Sequence, residues 1–436
     1  MAKNVPDAAR TGCLSMTRRV HIIGAGLAGL STALQLVLAG ELVTLYEAAP
    51  FAGGRCRSFH DRELDCRIDN GSHLVLSGNI AIHDYLFLTN ALDTMGGPGK
   101  PIFPFMDVKT NERWTVDMNK GIIPFWLLDP KRRVAGTKIS DYFEAFRMMT
   151  ARNDDRVSDR INMNAVLYKR FWEPLTVGVL NTEPEIASAT MMANVMWQTF
   201  ALGGNACIPL IPKIGLSETF VDPCLSLLQE KGAQVHTNHR LGKIAHTQQK
   251  STPAVRELHF NNGKIIEIGA KDWVVFALPA WVVRNLLPQL TLPNDFRSIV
   301  NAHYRMDGIE DPYGLIGVTG GIAEWVFARN GVASVTVSCA ERYGDYPVRD
   351  MATFIWRDVA KIYNRDPDVV PPHRIFKEKF ATFAATPEQN ARRPSSYIGW
   401  SNLALAGEWT ATGLPSTIEG AIRSGMKAAQ TVMRWD

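Results

Sequence analysis

No uninterrupted apolar run in this chain reaches the roughly 18 residues that a membrane-spanning helix needs. Residues 1–16 are polar, lack the apolar core of a secretion signal and read as a flexible N-terminal extension. The six cysteines stand apart at 13, 56, 66, 207, 224 and 339, with no C-x-x-C and no paired Cys/His spacing. That argues against a metal site and a disulfide framework, and predicts reduced thiols in a cytoplasmic setting. Charge of one sign is also scarce: the formal net charge is +4 over 436 residues, without a long Lys/Arg block. The case for nucleic-acid binding therefore falls away. Internal repeats and low-complexity tracts are absent, and a composition of 46% hydrophobic and 21% charged residues is that of an ordinary globular chain long enough for two domains.

The chain does contain a short apolar strand, Val20-His21-Ile22-Ile23, that runs into Gly24-Ala25-Gly26-Leu27-Ala28-Gly29 and then into a helical pattern closed by Gly40. This is G-x-G-x-x-G in its strand–turn–helix context. Gly24 serves the tight turn, Gly26 lets backbone approach a pyrophosphate, and Gly29 lets the helix pack on the strand, with the anion at the helix N-terminus. A second strand, Leu42–Tyr46, ends at Glu47, where an acid is expected to hold a ribose hydroxyl. A carboxylate there disfavours a 2′-phosphate, so FAD or NAD fits better than NADP. Gly53-Gly54-Arg55 follows, and a guanidinium on a flexible glycine pair suits a pyrophosphate. No second turn of this kind stands in a convincing strand–helix context, which points to an external reductant rather than bound NAD(P)H.

Periodicity predicts a discontinuous α/β layout. A Rossmann-like dinucleotide domain is assembled from residues 17–100, 205–280 and 396–436, and a mixed α+β substrate domain from 101–204 and 281–395. Near the C-terminus Ser416 is placed as a helix N-cap, and Glu419 three residues on completes a capping box, so that a positive helix end faces an anion.

The separated pieces together resemble the FAD-dependent amine oxidase and phytoene desaturase superfamily over nearly the whole chain. Four further stretches are similar to its squalene-associated branch, the hydroxysqualene dehydroxylases of bacterial hopanoid synthesis: Asp69-Asn70-Gly71-Ser72-His73; Phe171-Trp172-Glu173-Pro174-Leu175 with Leu180-Asn181-Thr182; Glu324-Trp325-Val326-Phe327; and Gly407-Glu408-Trp409-Thr410 with Gly413 to Ala421. Ser72 replaces the branch's usual Gln, and Glu408 its common Asp. The resemblance implies FAD, with Gly71 and Ser72 near the flavin, Gly407 and Glu408 at the ribityl or phosphate region, the Ile418 backbone by the isoalloxazine, and Leu241 on the adenine side. It also implies reductive loss of the hydroxyl of hydroxysqualene by hydride delivery from reduced FAD. Alternatives on the same fold are a carotenoid desaturase, an amine oxidase, and a non-catalytic flavin-binding partner of squalene-forming enzymes. The amine oxidase is disfavoured because Thr417 stands where that class commonly carries an aromatic cage residue.

Losing a hydroxyl requires a proton on the leaving oxygen, and Asp69 and His73 are the acid candidates. A structural Asp-Asn-Gly turn is the competing account of them. Trp172, Trp197 and Trp325 offer aromatic faces to a cationic carbon. Moving a C30 chain out of water is worth on the order of 20 kcal/mol, so such a substrate resides in a bilayer. Ile122-Ile123-Pro124-Phe125-Trp126-Leu127-Leu128, followed by a basic cluster at 131–133, is the expected peripheral contact on the inner face of the cytoplasmic membrane. A buried strand with a solvated basic loop is the other reading of this run.

Overall fold

Short apolar segments from three distant stretches of chain meet in one parallel sheet. The computed structural model describes residues 18–247, 252–309, 311–344 and 346–434; the expected extension at 1–16 and Cys13 lie outside them. The sheet contains β1 (Arg19–Ile23), β2 (Leu42–Tyr46), β3 (Gln234–His236), β4 (Trp273–Phe276) and β5 (Leu403–Leu405), in the order β3-β2-β1-β4-β5. All neighbours are parallel. Residues 20–23 and 273–276 are buried throughout, as expected of a parallel sheet covered on both faces.

Two helices hold this half together: α1 (Leu27–Leu38), directly after the first strand, and α2 (Ile418–Met433), nearly 400 residues later. Small residues let them pack at close range. The Ser31 hydroxyl donates to the Ile422 carbonyl (2.9 Å), and that of Thr32 to the Gly425 carbonyl (3.2 Å). A Cβ on Gly29 would lie 1.9 Å from the Gly24 carbonyl oxygen, so only glycine allows the helix to start so near its own strand. The Cys56, Cys66, Cys207, Cys224 and Cys339 thiols are free.

The other half is a seven-stranded sheet in the order 373–383, 296–305, 332–337, 325–329, 315–319, 102–107, 112–117. Strands 332–337 and 112–117 alternate as half-buried strands do, whereas 300–304 and 315–318 are buried throughout. One face, with Val300, Ala302, Tyr304, Val335 and Val337, packs on the helix Val348–Ile362 through Ile355, Trp356 and Val359. The opposite face turns Phe105, Trp325, Phe327, Thr336 and Asn301 toward a cavity roofed by helical segments between residues 122 and 202.

Candidate active site

The cavity has a volume of about 1770 Å³. Typical small-molecule sites hold roughly 300–1,000 Å³, so this one has room for a dinucleotide and a second large ligand. One end is the Gly24–Gly29 turn. Gly24 takes φ +104°, and a Cβ there would lie 2.3 Å from the Ala277 carbonyl oxygen, whereas a Cβ on Gly26 would meet nothing within 4 Å. The backbone at Gly26 is therefore open to an approaching group at the start of α1, where the first N–H groups have no helical partner. Leu27 and Ala28 line the same end.

Glu47 is fixed at the tip of β2. Its carboxylate accepts from the amides of Ala25 and Ala49, each at 2.8 Å, and stands on the cavity wall beside Tyr46, Arg240 and Leu241. Arg55 and Glu408 form an ion pair at 2.7 Å. Arg55 also donates to the Ala381 carbonyl at 2.5 Å, so one guanidinium ties the glycine pair to the C-terminal loop and the second half of the molecule. Gly54, Gly71, Ser72, Gly407 and Ile418 all line the cavity.

The helix cap differs from expectation. The N-cap of α2 is Thr417, whose hydroxyl accepts from the Gly420 amide at 3.0 Å. Ser416 stands one residue outside, its buried hydroxyl without a protein partner on the cavity wall. Glu419 closes no capping box. Its carboxylate accepts from the amides of Ala81 and Ile82 at 3.1 and 2.9 Å, capping the helix Ile80–Leu88, and is paired with Arg423 at 2.6 Å. Thr417, being spent on the cap, supplies no cage.

Asp69, one of the two acid candidates, is held by polar contacts on both carboxylate oxygens. It does not line the main cavity. One oxygen accepts from the Ser58 hydroxyl (2.6 Å) and the Leu216 amide (2.9 Å), and the other is ion-paired with Arg329 at 2.7 Å. Behind it lies a pocket of about 20 Å³, walled by Asp69, Ser72, His73, Arg329 and Ser334, enough for a single water. His73 touches both this pocket and the main cavity. Burial holds its imidazole below the ordinary histidine range, against the opposing pull of the Asp69 charge. It is the titratable candidate that stays at the cavity.

Trp172 and Trp325 line the cavity, with Trp325 edge-on to Phe105 at 5.6 Å. Trp197 is 53% exposed and stands at the rim. The apolar run at 122–128 is neither a strand nor uniformly outward. It ends in a 3-10 turn, Phe125–Leu128, in which Trp126 is buried against Tyr142 while Ile122, Ile123, Phe125 (61% exposed) and Leu128 project outward. A second segment continues the surface, with Ile139, Phe143 and Phe146 (65% exposed) also outward. Both segments line the cavity mouth. Sequence reading missed the second because its apolar residues fall at scattered positions between charges.

It also missed Arg393. This buried guanidinium donates to the carbonyls of Glu408 (3.0 Å) and Thr410 (2.5 Å) and to the Thr412 hydroxyl (2.8 Å), and lies over the Phe383 ring. Burial pulls it down to about 10, with the Glu408 charge opposing. It clamps the loop that carries Gly407 and Glu408, and the Arg-Arg-Pro around it gives no sequence signal of that role.

Residues 27–433 match the family model described as flavin containing amine oxidoreductase. The chain is 43% identical over 418 residues to the hydroxysqualene dehydroxylase of Sinorhizobium fredii, covering 96% of this chain and 99% of that one. It is 40% identical over 421 residues to that of Rhodopseudomonas palustris, covering 96% and 99%. The chain belongs to the hydroxysqualene dehydroxylase family of flavin-containing oxidoreductases. It is an oxidoreductase with a flavin cofactor. The zeta-carotene desaturase of Synechocystis is more remote, at 22% identity over 491 residues, covering 95% of this chain and 97% of that one. Among solved structures, cyclohexylamine oxidase from Brevibacterium oxydans superposes with a TM-score of 0.66 at 15% identity, over 96% of this chain and 99% of that one, a likeness of fold. The α/β, amine oxidase-like architecture expected from the sequence is thus the one observed. Among the described residues no helix is long and apolar enough to cross a membrane.

Proposed function

We propose that the chain removes the hydroxyl of hydroxysqualene reductively, giving squalene, with FAD as its flavin. The observation that carries this reading is one continuous cavity. It runs from an anion-binding helix start, past an ion-paired Arg55, into an apolar chamber that opens through exposed hydrophobic side chains. The residues fit FAD: Gly26 leaves room for pyrophosphate, Glu47 presents fixed carboxylate lone pairs to a ribose, and the start of α2 with Ile418 faces the cavity from the opposite end of the chain.

When bound and reduced by an external donor, the flavin would supply the hydride that replaces the C–O bond, the hydroxyl leaving with a proton as water. The protein's own part is to hold the chain, exclude water and provide the proton. His73, held below its ordinary range, forms on protonation a stronger acid than free imidazolium, and its place on the cavity wall supports it as the group that passes the proton to the leaving oxygen. Trp172 and Trp325 present aromatic surface to the carbon losing its oxygen. A long isoprenoid enters from lipid, and Ile122, Phe125, Leu128, Phe143 and Phe146 at the mouth form the face that dips into the inner leaflet, beside the basic residues 131–133.

Anaerobic single turnover tests the proposal. Photoreduced holoenzyme is mixed with hydroxysqualene in detergent while flavin absorbance and squalene are followed together. Squalene appearing in step with flavin reoxidation is expected. Persistent reduced flavin with no squalene refutes the reaction.

A further inference from the structure

An apolar chamber that accepts a hydrocarbon with one hydroxyl must distinguish alcohol from hydrocarbon through a few polar atoms, and unpaired polar atoms in an otherwise apolar wall are suited to that task. Two stand side by side. Asn301 and Thr336 are directly opposite in the antiparallel pairing of strands 296–305 and 332–337, so both point from the same face into the cavity. The Oδ1 of Asn301 and the Oγ1 of Thr336 are each buried without a hydrogen-bond partner in the protein. Leaving such a group unpaired costs about 1–3 kcal/mol, so adjacent orphans on a cavity wall mark a ligand contact.

The chemistry of the pair is defined. Asn301 donates its Nδ2 to the Asn70 carbonyl at 3.1 Å, which fixes the amide orientation and leaves the oxygen beside Gly71 as an unused acceptor. Thr336 contributes a hydroxyl that can donate. One acceptor beside one donor is the complement of an alcohol, which needs one of each. Trp325 is paired with Thr336 on the next strand, and Gly71 abuts Asn301, since a Cβ there would lie 3.0 Å from its Oδ1. The pair therefore sits between an aromatic ring and the Gly71–His73 stretch. The other orphans on the wall lie elsewhere: Ser416 next to the cap of α2, Gln198 beside the exposed Trp197, and the Nε1 of Trp172, which is turned toward Glu144.

We infer that Asn301 and Thr336 form the recognition site for the substrate hydroxyl, Asn301 accepting its hydrogen and Thr336 donating to its oxygen, so that the alcohol-bearing carbon is held next to Trp325. This deepens the dehydroxylase reading and rests on it.

The test is the ratio of affinities for hydroxysqualene and squalene, measured on flavin-loaded enzyme in detergent together with flavin content and absorbance spectrum. Thr336→Val preserves shape and removes a hydroxyl that bonds to nothing in the protein, so the fold survives. It is expected to lower the alcohol preference about tenfold with the flavin spectrum unchanged, while Thr336→Ser restores the preference. Asn301→Leu is expected to act in the same direction. A preference that both Thr336→Val and Asn301→Leu retain overturns the assignment, as does a changed flavin spectrum with the preference intact, which would make the pair a cofactor contact. If the parent converts hydroxysqualene while the variants keep their preference, only the pair is refuted. A parent that neither binds nor converts the alcohol refutes the underlying reading and the pair with it.

Discussion

Replacing Asp69 by Asn separates a structural anchor from a catalytic acid, because the two roles predict opposite losses. The carboxylate is 5% exposed and its partner Arg329 25% exposed, at 2.7 Å. Removing one member of a buried pair costs about 3–5 kcal/mol. Arg329 keeps a bond to the Pro212 carbonyl (2.6 Å) and some contact with water, which places the cost near the lower end, at about 3 kcal/mol. For 436 residues, an unfolding entropy of about 2.1 cal/mol/K per residue amounts to about 0.9 kcal/mol/K, so the melting midpoint should fall by about 3 °C. Single-turnover rate should change by less than about threefold, since general acid catalysis, worth roughly a hundredfold or more, is not lost. The assay pairs a thermal melt followed by tryptophan fluorescence with the anaerobic turnover measurement. An unchanged midpoint accompanied by a hundredfold loss of rate refutes the anchor role and returns Asp69 to the chemistry.

Arg55→Met strands Glu408 beside the cofactor end, and is expected to weaken FAD binding about tenfold by equilibrium dialysis; full retention of flavin would contradict the proposed pyrophosphate contact. Burial pushes His303 down to about 4, with the Asp69 charge opposing. A neutral buried histidine lowered from 6.5 stabilises the fold fully above that value, and its contribution is lost as pH falls toward 4. His303→Gln should therefore flatten the decline of the urea midpoint between pH 6.5 and 4, and parallel curves would refute the assignment. For the membrane face, Phe125→Ser with Phe146→Ser should reduce sedimentation with anionic vesicles at least tenfold, given about 1.5–3 kcal/mol per fully buried aromatic side chain. Binding equal to the parent's would sink the docking face.

The sequence by itself determined the parts whose physics is local. Gly24, Gly26 and Gly29 encode a turn, a bare backbone approach and a close helix start within six consecutive residues, and Glu47 follows at the end of the next strand. Such requirements are met by contiguous residues, so they are legible without a fold. The stretches at 69–73 and 407–421 likewise indicated the family, because their types and spacing are specific.

Only the tertiary structure decided what each polar side chain touches. Asp69 meets Arg329 across 260 positions of sequence, and Glu419 caps a helix 338 positions earlier, so neither role is encoded nearby. Cap choice between Ser416 and Thr417 depended on where the loop from Leu414 places the first turn. Within 122–128 the burial of Trp126 against Tyr142 fixed which neighbours point outward. Asn301 and Thr336 gain meaning only from strand register, which brings two unpartnered atoms to one wall of the cavity. Turn and helix-start chemistry belongs to the backbone and is written in short motifs. Partners, burial and pairing belong to packing, which joins segments hundreds of residues apart.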